Sequence, residues 1–191
     1  FSSVVPIAFK KIKFYMSQKL KKKIVELKQT KINSLIQLKV NKKQAGSDRI
    51  ANAIGTINNR DNFIVIDFGT ATTFDVIIKK RYLGGIIAPG LDLSLKTLSK
   101  KASLIPNVRL SKVKKVIGTN TISAVRSGFF WGYSGLINNL IKLIIKQTKK
   151  SYKIVLTGGL SYLFKNSVRG KKIIIKDLTI YGLYKVLKKI K

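Results

Sequence analysis

The spacing of apolar residues along the chain changes character several times, and each change predicts an element. Ile12, Met16, Leu20, Ile24 and Leu27 recur at steps of four or three, the repeat of an amphipathic helix whose lysines lie mostly on its other face. Before it, Phe1 to Pro6 reads as the end of a strand stopped by proline. Residues 32–40 are irregular or weakly β. Ile50, Ala51, Ala53 and Ile54 then predict a second helix, with Ser47 or Asp48 as its cap. Asn58 to Asn62 is polar and loop-like, and marks a domain boundary.

From Phe63 the pattern becomes that of strands. Phe63 to Ile66 are apolar without alternation, as in a strand buried on both faces. The strand ends on Asp67, and Phe68-Gly69-Thr70 turns the chain into a second strand reaching Ile78. Lys79-Lys80-Arg81 leads into a third, Tyr82 to Ala88, whose Gly84-Gly85 pair predicts a bulge or a close approach by another backbone or a ligand. Pro89-Gly90 breaks it. Leu91, Leu95, Leu98 and Ala102 form the stripe of a helix, and residues 105–116 connect it to a long helix opened by Thr119 or Asn120. Ile122, Val125, Phe129, Leu136, Leu140 and Ile144 lie at helical spacing along that helix. A strand at Lys153 to Leu156 ends in Thr157-Gly158-Gly159. A short helix, a strand at Lys172 to Lys176 and a final helix follow, the last capped by Asp177 and carrying Leu183, Val186, Leu187 and Ile190.

Composition narrows the chemistry. The 191 residues suit one medium domain, or one domain plus part of another. Cysteine and histidine are both absent, which excludes disulfides, thiolate nucleophiles, Ser-His-Asp catalysis and the commonest metal ligand. Chemistry must therefore use Asp, Lys, Arg, hydroxyls, backbone amides and bound ions. Phosphoryl transfer is the reaction class that needs least else, because it rests on positioning and electrostatics. There are 39 Lys plus Arg against 7 Asp plus Glu, a net charge of +32. Such a charge suits nucleic acid or an anionic membrane. The basic residues, however, are mostly lysines spread through every segment, with no arginine cluster and no interleaved aromatics for base stacking. A compositional drift toward Lys, Ile and Asn explains them, and neither a specific nucleic acid nor a membrane is expected as partner. The most hydrophobic window, Phe129 to Ile145, contains polar residues and falls short of the ~20 apolar residues a spanning helix needs.

Asp67 stands out because a carboxylate at the end of a buried strand is costly unless a cation or several hydrogen bonds compensate it. Asp67 capping a hairpin turn is the plain alternative. Asp48 and Arg49 form a second candidate, side by side at a helix N-terminus where an anion is favoured.

The β-β-β-α-β-α-β-α order with glycine turns resembles one half of the actin/Hsp70/sugar-kinase-like (RNase H-like) superfamily, an α/β fold. Four motifs sharpen the likeness: Ala-Gly-Ser-Asp-Arg at 45–49, Asp-Phe-Gly-Thr-Ala-Thr-Thr-Phe-Asp at 67–75, Gly-Gly-Ile-Ile-Ala-Pro-Gly at 84–90, and Asn-Thr-Ile-Ser-Ala-Val-Arg-Ser-Gly at 120–128. Together they resemble type III pantothenate kinase, which phosphorylates pantothenate with ATP in the first step of coenzyme A biosynthesis. The resemblance implies that residues 1–60 are the C-terminal part of a first RNase H-like domain and 61–191 a second. It implies that Asp48 is the general base, and that Gly46, Ser47, Arg49 and Thr121 contact the substrate. Asp67 corresponds to the ligand of a monovalent cation, K+ or NH4+, and Thr70 to an ATP contact; Thr157, Gly158 and Gly159 approach the adenosine. Mg2+ accompanies ATP, and the family is a cytoplasmic homodimer built partly on the long helix. A non-catalytic regulatory relative of the same fold is the rival reading, against which Asp48, Arg49, Asp67, Thr70 and Thr121 are all retained.

Two departures from the family pattern have consequences. Lys39 occupies the place of a substrate-binding tyrosine nine residues before the catalytic Asp, although Asn41 keeps its expected position. The family's opening strand and its Asp-x-Gly-Asn-Thr phosphate loop are not in these 191 residues, and the first residue is Phe rather than Met, as expected of a fragment. The 191 residues alone are accordingly expected to show little kinase activity, and the full-length protein to be active. Robust turnover of pantothenate by the isolated 191 residues would refute that reading.

Overall fold

In the computed structural model, residues 6–19 and 24–190 are described. The chain divides into two compact units. The first takes the described residues up to Phe63, with Asp75–Gly84 and Asp177 onward; the second takes Ile64–Phe74 and Gly85–Lys176.

The first unit opens with helix α1, Pro6–Lys19, then a 3-10 turn at Leu27–Gln29 and the short strand β1, Gln37–Leu38. The predicted stripe of the first helix does not survive as one surface. The helix is described as far as Lys19, Leu20 lies outside the described residues, Ile24 is not helical, and Ile12, Phe14 and Tyr15 are exposed. Leu27 is fully buried, but on the 3-10 turn. Within Phe1 to Pro6, residues 1–5 also lie outside the described residues, while Pro6 opens α1, where a fixed φ and missing N–H are tolerated.

The unit is built on two helices, α2 (Ser47–Thr56) and α6 (Leu178–Ile190). α2 is buried at every position from Ile50 to Thr56, so it behaves as a core helix rather than a surface one. α6 packs on it with Leu178, Gly182 and Val186, each four residues from the next. At Gly182 the approach is so close that a methyl group would overlap the Ala51 carbonyl, and at Gly55 it would meet Leu178. The smallest residue sets the contact line, and Leu187 and Ile190, two of the apolar positions expected to bury, are left exposed. Polar groups seal the pair. Thr179 Oγ1 donates to the side-chain oxygen of buried Asn52 at 2.6 Å, and Lys185 Nζ donates to the Gly55 carbonyl at 2.8 Å, among the orphan carbonyls at the α2 C-terminus.

β1 pairs in parallel with the start of strand β4, Arg81–Pro89, with Gln37 opposite Arg81 and Leu38 opposite Tyr82. The turn into β4 from strand β3, Ala71–Ile78, spans two residues and places Lys79 at φ 52, a left-handed conformation suited to hairpin turns. Gly84 has φ 116, and a methyl there would sit 3.2 Å from Val40, the close approach its glycine pair predicts.

In the second unit strand β2, Asn62–Phe68, joins β3 through residues 69–70, a connection short enough only for an antiparallel hairpin. The strands run β4-β3-β2-β5-β6, where β5 is Lys153–Gly158 and β6 is Lys172–Ile174, and β5 and β6 are parallel. Counted within the unit this is the order 3-2-1-4-5, in keeping with the expected α/β fold. Helix α3, Leu91–Lys101, begins directly after β4, with Gly90 as its cap. Helix α4, Thr121–Thr148, is the longest in the chain's described part.

The buried face of α4 differs from the predicted one. It carries Ser127, Phe130, Ser134, Ile137, Ile141 and Ile144 at alternating steps of three and four, a heptad seam. Of the expected positions, Ile144 belongs to it. Phe129, Leu136 and Leu140 lie beside it half-buried, and Ile122 is exposed. Both seams are apolar, so composition does not distinguish them. The two serines bury because small side chains let the helix approach its neighbours, and Ser134 Oγ satisfies itself on the Phe130 carbonyl at 2.7 Å. Phe164, on the short helix α5 (Ser161–Phe164), stacks against Phe68 at 5.3 Å and Phe130 at 5.7 Å between ring centres.

Gly182→Ala is expected to destabilise the protein by roughly 3 kcal/mol, the range of overpacking against an immovable backbone. A lower urea midpoint with unchanged m-value would show it; an unchanged midpoint would contradict the contact.

Candidate active site

The sequence-predicted residues fall into two local groups. Gly46, Ser47, Asp48 and Arg49 are at the N-terminus of α2 in the first unit; Asp67, Thr70, Thr121 and Thr157-Gly158-Gly159 belong to the second.

At α2 the cap is Gly46, not Ser47 or Asp48. Those two residues fill the first turn, and Asp48 Oδ1 accepts the N–H of Arg49 at 2.9 Å. A carboxylate there is stabilised by the unpaired N–H groups and the positive end of the helix dipole. It folds back over Gly46, where a Cβ would lie 2.5 Å from Oδ1. Glycine at 46 is therefore a condition for the pose of Asp48.

Arg49 does not face Asp48, because consecutive helix positions point in different directions. It reaches Asp75 on β3: Nε donates to Oδ1 at 2.7 Å, and Nη2 lies 2.7 Å from the same oxygen. The Tyr82 hydroxyl on β4 donates to that oxygen as well, at 2.7 Å. Asp75 is completely buried. Burial pushes its carboxyl up to about 6, against the opposing pull of the Arg49 charge and the Tyr82 hydrogen bond. Burial, followed by the charge of Asp75, likewise raises the Tyr82 phenol, so it stays a donor. For Arg49, burial acts against the charge, but the neighbouring Asp75 carboxylate outweighs it and the net shift is upward. With three groups converging on Oδ1, Asp75 Oδ2 and Arg49 Nη2 are buried without an aligned hydrogen-bond partner.

Asp75 and Tyr82 were not singled out by the sequence reading. The signal was present: Asp75 is a carboxylate inside the apolar run Phe74 to Ile78, in a chain with only 7 acidic residues. Nothing local, however, names its partner 26 residues away.

In the second unit β2 delivers Asp67 half-buried at its end. The end of β5 stands against it. Gly158 has φ 84, and a Cβ there would lie 2.6 Å from Asp67 Oδ1 and 2.7 Å from both the N and O of Phe68. Gly69 N–H closes the hairpin on the Ala71 carbonyl at 3.1 Å, and Gly90 packs directly on the carbonyl of Thr70, itself exposed. Thr157 is buried and donates to the Lys176 carbonyl at 3.3 Å. Asp67 thus offers one carboxylate beside neutral backbone oxygen, a donor set that fits a singly charged cation. Among the described residues no cluster of three or more acidic, His or Cys side chains is placed to hold a metal.

Thr121 is the first residue of α4 and is exposed. Asn120 caps the helix through a reciprocal pair: its side chain accepts the Ser123 N–H at 2.9 Å, and its own N–H reaches Ser123 Oγ at 3.1 Å. No helix among the described residues is long and apolar enough to cross a membrane.

The family model described as type III pantothenate kinase matches residues 1–143. A type III pantothenate kinase of Pelagibacter ubique is 59% identical over 191 residues, covering 100% of this chain and 77% of that protein. One of Jannaschia sp. is 44% identical over 140 residues, covering 72% of this chain and 54% of the relative, so the match there spans about half its length. Among solved structures, a Campylobacter jejuni protein named for the Baf family of transcriptional activators aligns with TM-score 0.60 and 25% identity, covering 92% of this chain and 78% of that one. An Alp12 filament structure aligns at TM-score 0.51 with 19% identity, covering 76% and 53%, and shares the fold. The chain has the actin/Hsp70/sugar-kinase-like α/β fold and belongs to the type III pantothenate kinase family.

Gly158→Ala is expected to cost about 2 kcal/mol or more, from a strained left-handed backbone and contact with Asp67 and Phe68. Gly159→Ala, where a Cβ meets nothing within 4 Å, is the matched control and should be close to neutral. Equal urea midpoints for the two variants would contradict this reading of the cradle.

Proposed function

We propose that this member of the family phosphorylates pantothenate with ATP, giving 4'-phosphopantothenate in the first step of coenzyme A biosynthesis. In this reading Asp48 takes the proton from the pantothenate hydroxyl as its oxygen attacks the γ-phosphorus of ATP, and ADP leaves. The observation that carries it is the pose of Asp48 beside Arg49. Asp48 Oδ1 is steadied by the Arg49 N–H, while the guanidinium hydrogen-bonds Asp75 and not Asp48. A general base needs only to be ionised and within hydrogen-bond reach of the hydroxyl.

Gly46, Ser47, Arg49 and Thr121 contact the substrate, and Thr70 contacts ATP. Asp67 holds K+ or NH4+, whose charge compensates the carboxylate beside the nucleotide phosphates, and Mg2+ enters with ATP. Residues 1–60 are read as the end of a first RNase H-like domain and 61–191 as the second. A homodimer along α4 is supported by its second apolar seam, where Ile122 and Leu143 are 41% and 47% exposed and Phe129 stacks on Tyr133. A cytoplasmic location belongs to the same reading.

A non-catalytic regulator of the same fold is a second reading, favoured by the name of the Campylobacter neighbour. One assay on the full-length protein separates the two. Pantothenate-dependent ADP release is expected, stimulated by K+, with Asp48→Asn reducing kcat by about 10²–10⁴-fold, the usual contribution of a general base. Undiminished turnover in Asp48→Asn would remove Asp48 from the mechanism. No pantothenate-dependent turnover in the wild type, with and without K+, would favour the regulator.

A further inference from the structure

The cluster of Asp75, Arg49 and Tyr82 is more than a satisfied core ion pair. A pair that existed only for stability would be expected to close as a fork, with Nε and Nη2 on separate carboxylate oxygens. Here Nε and Nη2 both lie 2.7 Å from Oδ1, and Tyr82 donates to that same oxygen. The result is a carboxylate crowded on one side and, on the other, a buried Oδ2 and a buried Nη2 that lack aligned partners. Leaving such groups unpaired is costly, and replacing a buried ion pair with apolar side chains is often neutral or stabilising.

The direction of the pull is informative. Arg49 follows Asp48 in the chain, and an unanchored guanidinium on a flexible stem could fold back toward its neighbour's carboxylate. Asp75 prevents this by engaging the Nε edge from β3, while Tyr82 fixes Asp75 from β4. With Nε and the buried Nη2 turned toward Asp75, Nη1 is the guanidinium nitrogen left to meet a ligand. Its N–H groups suit an anionic or carbonyl oxygen of a substrate.

We propose that Asp75, held by the Tyr82 hydroxyl, is a positioning residue that aims Arg49 at the substrate and keeps its guanidinium from pairing with Asp48. This rests on the kinase reading above, in which Arg49 contacts pantothenate and Asp48 is the base. Asp75 does not touch the reacting atoms; it acts through Arg49.

The titratable groups facing Asp75 are Arg49 and, more distantly, Asp48 from α2, and Tyr82 from β4. Its carboxyl is pushed up to about 6, so protonation as pH falls through that value removes the negative charge that holds Arg49. The same raised value means that stability contributed by Asp75 is fully present below its unfolded value of 3.8 and is lost as pH rises through about 6.

The test uses the full-length protein and steady-state kinetics with pantothenate and ATP. Asp75→Asn is expected to raise the pantothenate KM by about tenfold with little change in the ATP KM, and Tyr82→Phe to raise it by about two- to fivefold. Arg49→Ala should show the same selective defect, and Asp75→Asn should add nothing to it in the double variant. In the wild type the pantothenate KM should rise as pH falls below about 6, a dependence absent in Asp75→Asn. An unchanged pantothenate KM and pH profile in Asp75→Asn, or fully additive effects with Arg49→Ala, overturn the proposal. Should Asp75→Asn fail to fold, Tyr82→Phe decides alone, since it removes one hydroxyl from a retained ring. A wild type that does not phosphorylate pantothenate overturns the kinase reading and this proposal with it; an active wild type with an indifferent Asp75→Asn overturns only the role of Asp75.

Discussion

A carboxylate with no access to water constrains the whole N-terminal side of the molecule. Asp75 sits in β3 with apolar residues on both sides in sequence, and its side-chain donors, Arg49 and Tyr82, lie outside that strand. Its partners come from α2 and β4, so those elements must meet around it in a fixed register. β4 is held in place by β1, with Tyr82 opposite Leu38 and its carbonyl accepting the Lys39 N–H at 2.9 Å. α2 is held by α6, through a glycine contact that tolerates no sideways shift. A one-residue slip in β4 would turn Tyr82 to the opposite face of the strand and remove one of the donors to Asp75.

Glycine plays a comparable part in both units, for a reason of space more than of flexibility. Gly182 lets α6 touch the backbone of α2, Gly90 lets the start of α3 touch the β2–β3 hairpin at Thr70, and Gly158 lets β5 end against Asp67. In each case backbone meets backbone or a carboxylate, where a methyl group has no room to relax. These contacts convert element packing into placement of single residues: Thr70 is pinned by its own carbonyl, and Asp67 is walled on one side by peptide groups. A carboxylate so walled has lost part of its hydration, which is the condition under which a bound cation contributes most.

Much of this was legible in the sequence. The three strands from Phe63, the break at Pro89-Gly90, the long helix and its Asn120 cap all appear, because strong local signals dictate them. The motif around Asp48 was legible as well, since adjacent residues at a helix start carry their geometry with them. What was not legible depends on choices between equivalent surfaces. α4 has two apolar seams, and burial selects the one bearing Ser127 and Ser134, which a hydrophobicity argument ranks lower. α6 buries the face containing Gly182 in place of the richer one at Leu187 and Ile190, because closest approach outweighs side-chain area there. Asp75 with Arg49 and Tyr82 escaped for the same reason: a long-range contact has no local pattern.

The composition bears on the same groups from another side. Three of the seven acidic residues are Asp48, Asp67 and Asp75, set against 39 lysines and arginines. A field of that sign attracts anionic substrates, and it would oppose the monovalent cation proposed for Asp67. The opposition is limited by range, since at physiological salt charges more than about 8 Å apart are largely screened when exposed. Binding of the proposed cation would therefore depend on the immediate surroundings of Asp67 and not on the charge of the distant surface. The same argument explains how the chain can accumulate surface lysine without disturbing its carboxylates. For Asp75 the governing influences are local: its own burial first, then Arg49, Tyr82 and Asp48.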